Sequence, residues 1–346
     1  MYGKVDRPLH VKSHNSARGA TQSVDPRLAA LTRWIAGPLG GPPRSLVPAS
    51  ADASFRRYFR TTLDDGRSFI AMDAPPERED CRPFVHVARL LRAAGVHAPE
   101  VHAQDLEQGF LLLTDLGTVT YLDALGEGNA AALMRDAIGS LVRWQLATRA
   151  GELPPYDEAL LRRELALFPE WYAGRHLGRR LDAGLTASWE ALCDILVKSA
   201  LAQPAVYVHR DYMPRNLMVC DPNPGVLDFQ DAVIGPITYD IASLTRDAFL
   251  SWEEERVLDW AARYWEAAKH ARLPVDADFA EFWRALEWMG LQRHLKVLGI
   301  FARLTYRDGK QKYLADTPRF VGYARAAARR YAALAPLARL LDALER

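Results

Sequence analysis

The chain has 346 residues, with 44 Lys and Arg against 43 Asp and Glu, for a formal net charge of +1. At 49% hydrophobic and 25% charged residues it has the composition of a folded protein long enough for two lobes, which excludes wholesale disorder. Near-neutrality argues against nucleic acid or anionic lipid as the main partner, and three scattered cysteines, Cys81, Cys193 and Cys220, argue against a disulfide framework and fit a cytoplasmic compartment.

Residues 1–25 are polar and basic, with no apolar core of a secretory signal, and are expected to form a flexible N-terminal extension. No apolar run reaches the roughly 18 residues that would span a bilayer, so no membrane partner is expected. Leu28, Leu31 and Ile35 recur at helical spacing and predict a helix over 26–38, which Gly37-Pro38 and the Gly/Pro-rich stretch to Pro43 end. Two strand-like runs follow, 54–62 and 68–73, joined by the hairpin signal Asp64-Asp65-Gly66. A helix is expected over 77–94, with Phe84, Val87, Ala88 and Leu91 on one face, and then strands at Val101–Ala103 and Phe110–Leu113. From Leu116 the pattern turns helical: 128–149, 157–168, 185–202, 253–271, 276–306 and 317–345. Only residues 205–240 interrupt it, with the short apolar runs AVYVH, LMV and GVLDF between polar loops. The plan is α+β and bilobal: a small β-rich lobe over 26–115 and a large, mainly helical lobe over 116–346.

The polar residues of that interruption carry the chemistry. Asp211, Asn216 and Asp228 fall between short strands, so they can meet at strand ends, and three hard oxygen ligands suit Mg²⁺ held together with substrate phosphates. Any one of these aspartates could be a turn or helix cap; that explanation covers all three poorly. The lone Gly126-x-Gly128-x-x-Ala131 follows a helical stretch and is no dinucleotide fingerprint, and neither a P-loop nor a zinc or serine-nucleophile motif is present.

His209-x-Asp211-x-x-x-x-Asn216 followed by Asp228-Phe229 resembles the catalytic loop and metal-binding segment of protein-kinase-like phosphotransferases, and more closely the aminoglycoside phosphotransferase and choline kinase branch. The segments HRDYMPRN at 209–216, GVLDFQD at 225–231, GPITYDIASL at 235–244 and RDAFLSW at 246–252 resemble the anomeric sugar kinases of cell-wall recycling, as do residues 72–76, 104–110 and 113–117. The similarity spans about residues 28–320. That family phosphorylates N-acetylmuramate and N-acetylglucosamine at the C1 hydroxyl with Mg-ATP, and its product passes to a sugar-1-phosphate nucleotidyltransferase.

The resemblance implies Asp211 as the base and Asn216 and Asp228 as Mg²⁺ ligands. It gives His209 and Asp240 structural roles, Asp240 bracing the loop or simply capping a helix. On the nucleotide side it departs from the kinase pattern: no glycine-rich loop precedes the first hairpin, and Met72 stands where a phosphate-holding lysine belongs. Arg57 or Arg60 is the expected substitute, with Ser54 on a phosphate and adenine against the linker Thr114, Asp115 and Leu116. Gln230 and Asp231 could face phosphates or sugar, and Arg210 and Arg215 a phosphate or a substrate carboxylate; surface positions for both arginines fit equally. Sugar contacts are expected from Glu170 with Trp171, or from Gln292, Arg293 and Lys296 on one helix, with His294 as packing. Other small-molecule kinases of this fold, acting on aminoglycosides, choline, ethanolamine or homoserine, remain open, as does a kinase-like module without chemistry.

Overall fold

The computed structural model describes residues 25–50 and 55–345; the expected N-terminal extension (but for Asp25) and Ser54 lie outside them. Helix α1 (Pro26–Leu39) opens the small lobe, with the Asp25 carboxylate accepting the N–H groups of Arg27 and Leu28 and Gly40 closing it in the left-handed conformation. Five strands follow: β1 (Ser45–Ser50), β2 (Arg57–Thr62), β3 (Ser68–Asp73), β4 (Val101–Asp105) and β5 (Phe110–Thr114), with α2 (Arg82–Ala93) between β3 and β4. They form one antiparallel sheet in the order β1-β2-β3-β5-β4. Strand β1 is absent from the sequence expectation; it contains Pro48, whose missing N–H is tolerated at the edge of a sheet.

Period-2 alternation decides what the sheet offers to each side. Phe59, Ala71, Phe110 and Leu112 face α1 and close over Leu31 and Ile35 in a small core. Tyr58, Ile70, Met72, Leu111 and Leu113 face the other way and join the main core. Arg57 pairs with Asp73 in register and so shares the α1 face. Gly109, in the β4–β5 turn, sits at φ 73°, and its carbonyl accepts the Ala74 N–H at 2.9 Å. A Cβ there would lie 1.8 Å from the Ala74 carbonyl oxygen, which is backbone and cannot swing aside. Gly109→Ala is therefore expected to destabilise the protein by about 2 kcal/mol or more, read as a lower urea midpoint at unchanged slope.

The large lobe contains α3 (Tyr121–Ala124), α4 (Ala130–Leu146), α5 (Glu158–Leu165) and α6 (Ala183–Leu201). Then come β6 (Ala205–Val208), β7 (Leu217–Met218), β8 (Gly225–Val226) and β9 (Val233–Pro236), and finally α7 (Tyr239–Thr245), α8 (Glu254–His270), α9 (Phe279–Tyr306), α10 (Thr317–Arg330) and α11 (Ala335–Glu345). Strands β6 and β9 pair, as do β7 and β8, both antiparallel. Two helix expectations change. The helix over 157–168 stops at Leu165, and residues Phe168–His176 coil as a π-helix, where Pro169 has no N–H to give and the ladder slips to Leu177 N–H on the Tyr172 carbonyl. The helix over 317–345 breaks at Tyr331, whose extended backbone separates α10 from α11. Helix α9 is the central post, buried along most of its length.

Candidate active site

Strand β6 delivers His209 at its end, and a loop then runs through Asp211 into a 3₁₀ turn at Pro214–Asn216. Hairpin β7–β8 returns the chain so that Leu227 N–H donates to the Asn216 carbonyl at 2.9 Å, which sets Asp228 beside Asn216. The Asn216 side-chain amide donates to the Asp211 carbonyl at 2.9 Å and lies 3.4 Å from Asp228 Oδ2. Gln230 Nε2 donates to the other Asp228 oxygen at 3.0 Å and reaches Asp231 at 3.3 Å. Arg210 (φ 75°) and Asp228 (φ 62°) both hold the left-handed conformation without being glycine. Such strain persists where surrounding contacts over-determine it, and here it flanks the converging polar groups.

Those contacts are built below the loop. The buried Asp240 carboxylate, in the first turn of α7, accepts the N–H groups of His209 at 2.7 Å and Arg210 at 3.0 Å. Burial pushes this carboxyl up to about 7, while the two N–H groups pull it down. His209 Nδ1 accepts the Asp211 N–H at 3.2 Å, so its Nε2 is the donor to the Leu227 carbonyl at 3.0 Å. Burial lowers the imidazole to about 4, and it stays neutral near pH 7 while tying the Asp211 loop to the Asp228 segment. Phe229, fully buried, lies 4.7 Å ring to ring from Phe84 of α2 and links this segment to the small lobe.

Two cavities flank the convergence. The smaller, about 300 Å³, lies between the lobes under Tyr58 and Ile70, against the linker Thr114–Gly117, and reaches Arg215, Asn216 and Asp228. Arg60 lines it, with its guanidinium on the Asp115 carboxylate at 2.6 and 2.9 Å and on the Gly117 carbonyl at 2.7 Å. Burial pushes the Asp115 carboxyl up, but Arg60, Ser68 and the Gly117 N–H outweigh it and hold it below the usual range. The larger cavity, about 1000 Å³, is walled by α5, α9 and the loop after β8 and reaches Arg210, Gln230, Asp231 and Lys296.

A buried ionic cluster forms the floor of the larger cavity. Glu164 Oε1 meets Arg210 Nη2 at 2.5 Å and Lys296 Nζ at 2.9 Å. Its Oε2 accepts from the Tyr156 hydroxyl and from Gln292 Nε2 at 3.3 Å, and Lys296 donates to the Tyr239 hydroxyl at 3.1 Å. Burial pushes the Glu164 carboxyl up, yet Lys296 and Arg210 overcome it and hold it down at about 2. Glu164, Tyr156 and Tyr239 were not singled out by sequence reasoning. Glu164 sits in a run of charged residues on a short helix, which reads as a solvated face; only Tyr239, inside ITYD, lay next to a motif.

Other expected contacts fall elsewhere. Arg57 points to the α1 face, where it binds Asp25 and Asp73, because strand alternation turns it away from the cleft that Arg60 faces. Met72 is fully buried among apolar neighbours. Glu170 is exposed and Trp171 packs on the core, since the π-helix rotates them off the cavity wall. Arg293 is buried beneath the loop, bonded to the Arg246 carbonyl at 3.4 Å. Gln292 stands behind Glu164, and Arg215 belongs to the interlobe cavity with its guanidinium over the Phe249 ring. His294 packs among Phe320 and Tyr323.

Solved structures with this fold include an ADP-bound aminoglycoside phosphotransferase, at a TM-score of 0.57 and 13% identity over 85% of this chain and 97% of that one. An ethanolamine kinase of Plasmodium vivax matches at 0.60 and 9% identity over 81% of each chain. At these identities they show the shared fold: a protein-kinase-like bilobal α+β architecture. Among curated proteins, the N-acetylmuramate/N-acetylglucosamine kinase of Pseudomonas aeruginosa is 58% identical over 88% of this chain and 89% of its own. The protein of that name from Neisseria meningitidis is 53% identical over 86% and 89%, and the one from Caulobacter vibrioides 30% identical over 79% and 84%. The model of the phosphotransferase enzyme family matches residues 45–283, and the chain belongs to that family.

Proposed function

We propose that the chain transfers the γ-phosphoryl group of ATP to the anomeric C1 hydroxyl of N-acetylmuramate and N-acetylglucosamine. The observation that carries the phosphotransfer is the Asn216 amide set between Asp211 and Asp228, where an interlobe cavity and a larger one approach each other. The sugar assignment draws on the name shared by relatives at 53–58% identity.

In this reading ATP takes the interlobe cavity, its base against the linker backbone at Thr114–Leu116 and its phosphates toward Asn216 and Asp228, a cavity these residues line. The Asp211 carboxylate orients the C1 hydroxyl, whose oxygen bonds to the γ-phosphorus as the bond to the β–γ bridging oxygen breaks and ADP departs. The proton goes to Asp211, late, because the loose transition state leaves it on the nucleophile until the new bond is advanced. Asn216, whose amide nitrogen is engaged by the Asp211 carbonyl, keeps its Oδ1 for a cation, and Asp228 adds a carboxylate. This hard oxygen pair would hold Mg²⁺, which neutralises charge on the nucleotide phosphates when bound. A cytoplasmic site of action, with the sugar 1-phosphate consumed by a nucleotidyltransferase, completes the reading.

A coupled ATP-consumption screen tests it. Turnover is expected on the two amino sugars, with Mg²⁺ required, and none on aminoglycosides, choline or homoserine. Turnover on a cationic substrate with neither amino sugar accepted would overturn it.

A further inference from the structure

Arg293 and Lys296 are expected from the sequence to hold a sugar's hydroxyls, acetamido group or lactyl carboxylate, and in the structure both side chains have other partners. Arg293 lies under the catalytic loop, and Lys296 is committed to Glu164. Arg210, the other cation at the cavity floor, is committed to the same carboxylate. Three further arginines line this cavity: Arg82 is paired with Asp80, whereas the side chains of Arg303 on α9 and Arg163 on α5 have no ion-pair or hydrogen-bond partner among the described residues.

We propose that Arg303 is the specificity residue that reads the lactyl carboxylate of N-acetylmuramate, with Arg163 opposite as a supporting charge. This inference rests on the function proposed above. Lys296, Ile300 and Arg303 share one face of α9 and line the cavity from floor to rim. Arg303 stands seven residues beyond Lys296, about 10 Å along the helix, which suits an amino sugar whose C1 end sits at the floor and whose acid arm points outward. Arg303 is half-buried, and its Nε is shut from solvent with no acceptor, an uncommon state for a guanidinium. Burial and the neighbouring Arg307 disfavour its charge, while Asp308 and Glu170 favour it only through space. A carboxylate arriving in the cavity supplies the missing counter-charge, and the guanidinium can donate to it through its Nη groups. N-acetylglucosamine has no such arm and gains nothing from this contact, so Arg303 sets the preference between two sugars that share the same chemistry at C1.

The test is steady-state kinetics of Arg303→Met and Arg303→Lys on both sugars and on the methyl ester of N-acetylmuramate, with thermal unfolding to confirm folding. For Arg303→Met, kcat/KM on N-acetylmuramate is expected to fall at least tenfold more than on N-acetylglucosamine, chiefly through KM. Arg303→Lys recovers part of the loss, and the ester is handled alike by the wild type and Arg303→Met. Equal falls on both sugars, or no fall on either, overturn the inference while leaving the proposed function standing. A wild-type chain inactive on both sugars overturns the proposed function and this inference with it.

Discussion

Asp211→Asn is expected to lower kcat on the amino sugar by roughly a thousandfold or more, with the thermal midpoint within a few degrees of wild type. The substitution is nearly isosteric, and Asp211 holds its place through backbone atoms: its N–H on His209 and its carbonyl under the Asn216 amide. The fold therefore loses nothing that the asparagine cannot supply, while the group proposed to accept the nucleophile's proton disappears. Asp228→Ala is expected to be as inactive, and in addition to lose the Mg²⁺ dependence of nucleotide binding. Near wild-type kcat in Asp211→Asn would remove the residue from the chemistry.

Glu164→Gln is expected to act on stability. Glu164 is 7% exposed at its side chain, and its charge is what compensates Arg210 and Lys296, both of them largely buried. Removing one member of a buried ion cluster leaves the others uncompensated and typically costs about 3–5 kcal/mol, whereas an intact cluster typically adds little over an apolar core. The pH dependence has a definite sign. The folded protein holds this carboxyl at about 2, below its ordinary 4.5, so the unfolded chain takes up the proton first. The stabilisation by Glu164 is complete above pH 4.5 and is lost as pH falls toward 2. Urea unfolding of wild type and Glu164→Gln should therefore show a wide gap at pH 6 that narrows between pH 4.5 and pH 2. A gap independent of pH would mean that shape, not charge, is what Glu164 contributes.

The convergence of the proposed catalytic residues was legible in sequence because they are close in the chain. Asp211, Asn216 and Asp228 lie within one loop and one short hairpin, so local geometry brings them together without help from distant elements. The two-lobe plan was legible for a similar reason: alternation ends near Thr114 and helical periodicity begins soon after. What stayed hidden depends on faces and on long-range partners. Arg57 and Arg60 read alike as strand arginines, and only the sheet's register shows that one meets Asp25 and Asp73 behind the sheet while the other meets Asp115 in the cleft. Glu164 finds Arg210 and Lys296 across 46 and 132 positions of sequence, a pairing that no spacing rule reports. Trp171 looked like a sugar platform, and the π-helix that turns it onto the core has no clear sequence signature beyond Pro169.

The most direct test of the account is ³¹P NMR of the product formed from N-acetylmuramate and ATP. The account predicts one sugar phosphate whose phosphorus couples to the anomeric proton, formed by the wild type and absent with Asp211→Asn. Phosphate on any other hydroxyl, or the same product from Asp211→Asn at an undiminished rate, would contradict it.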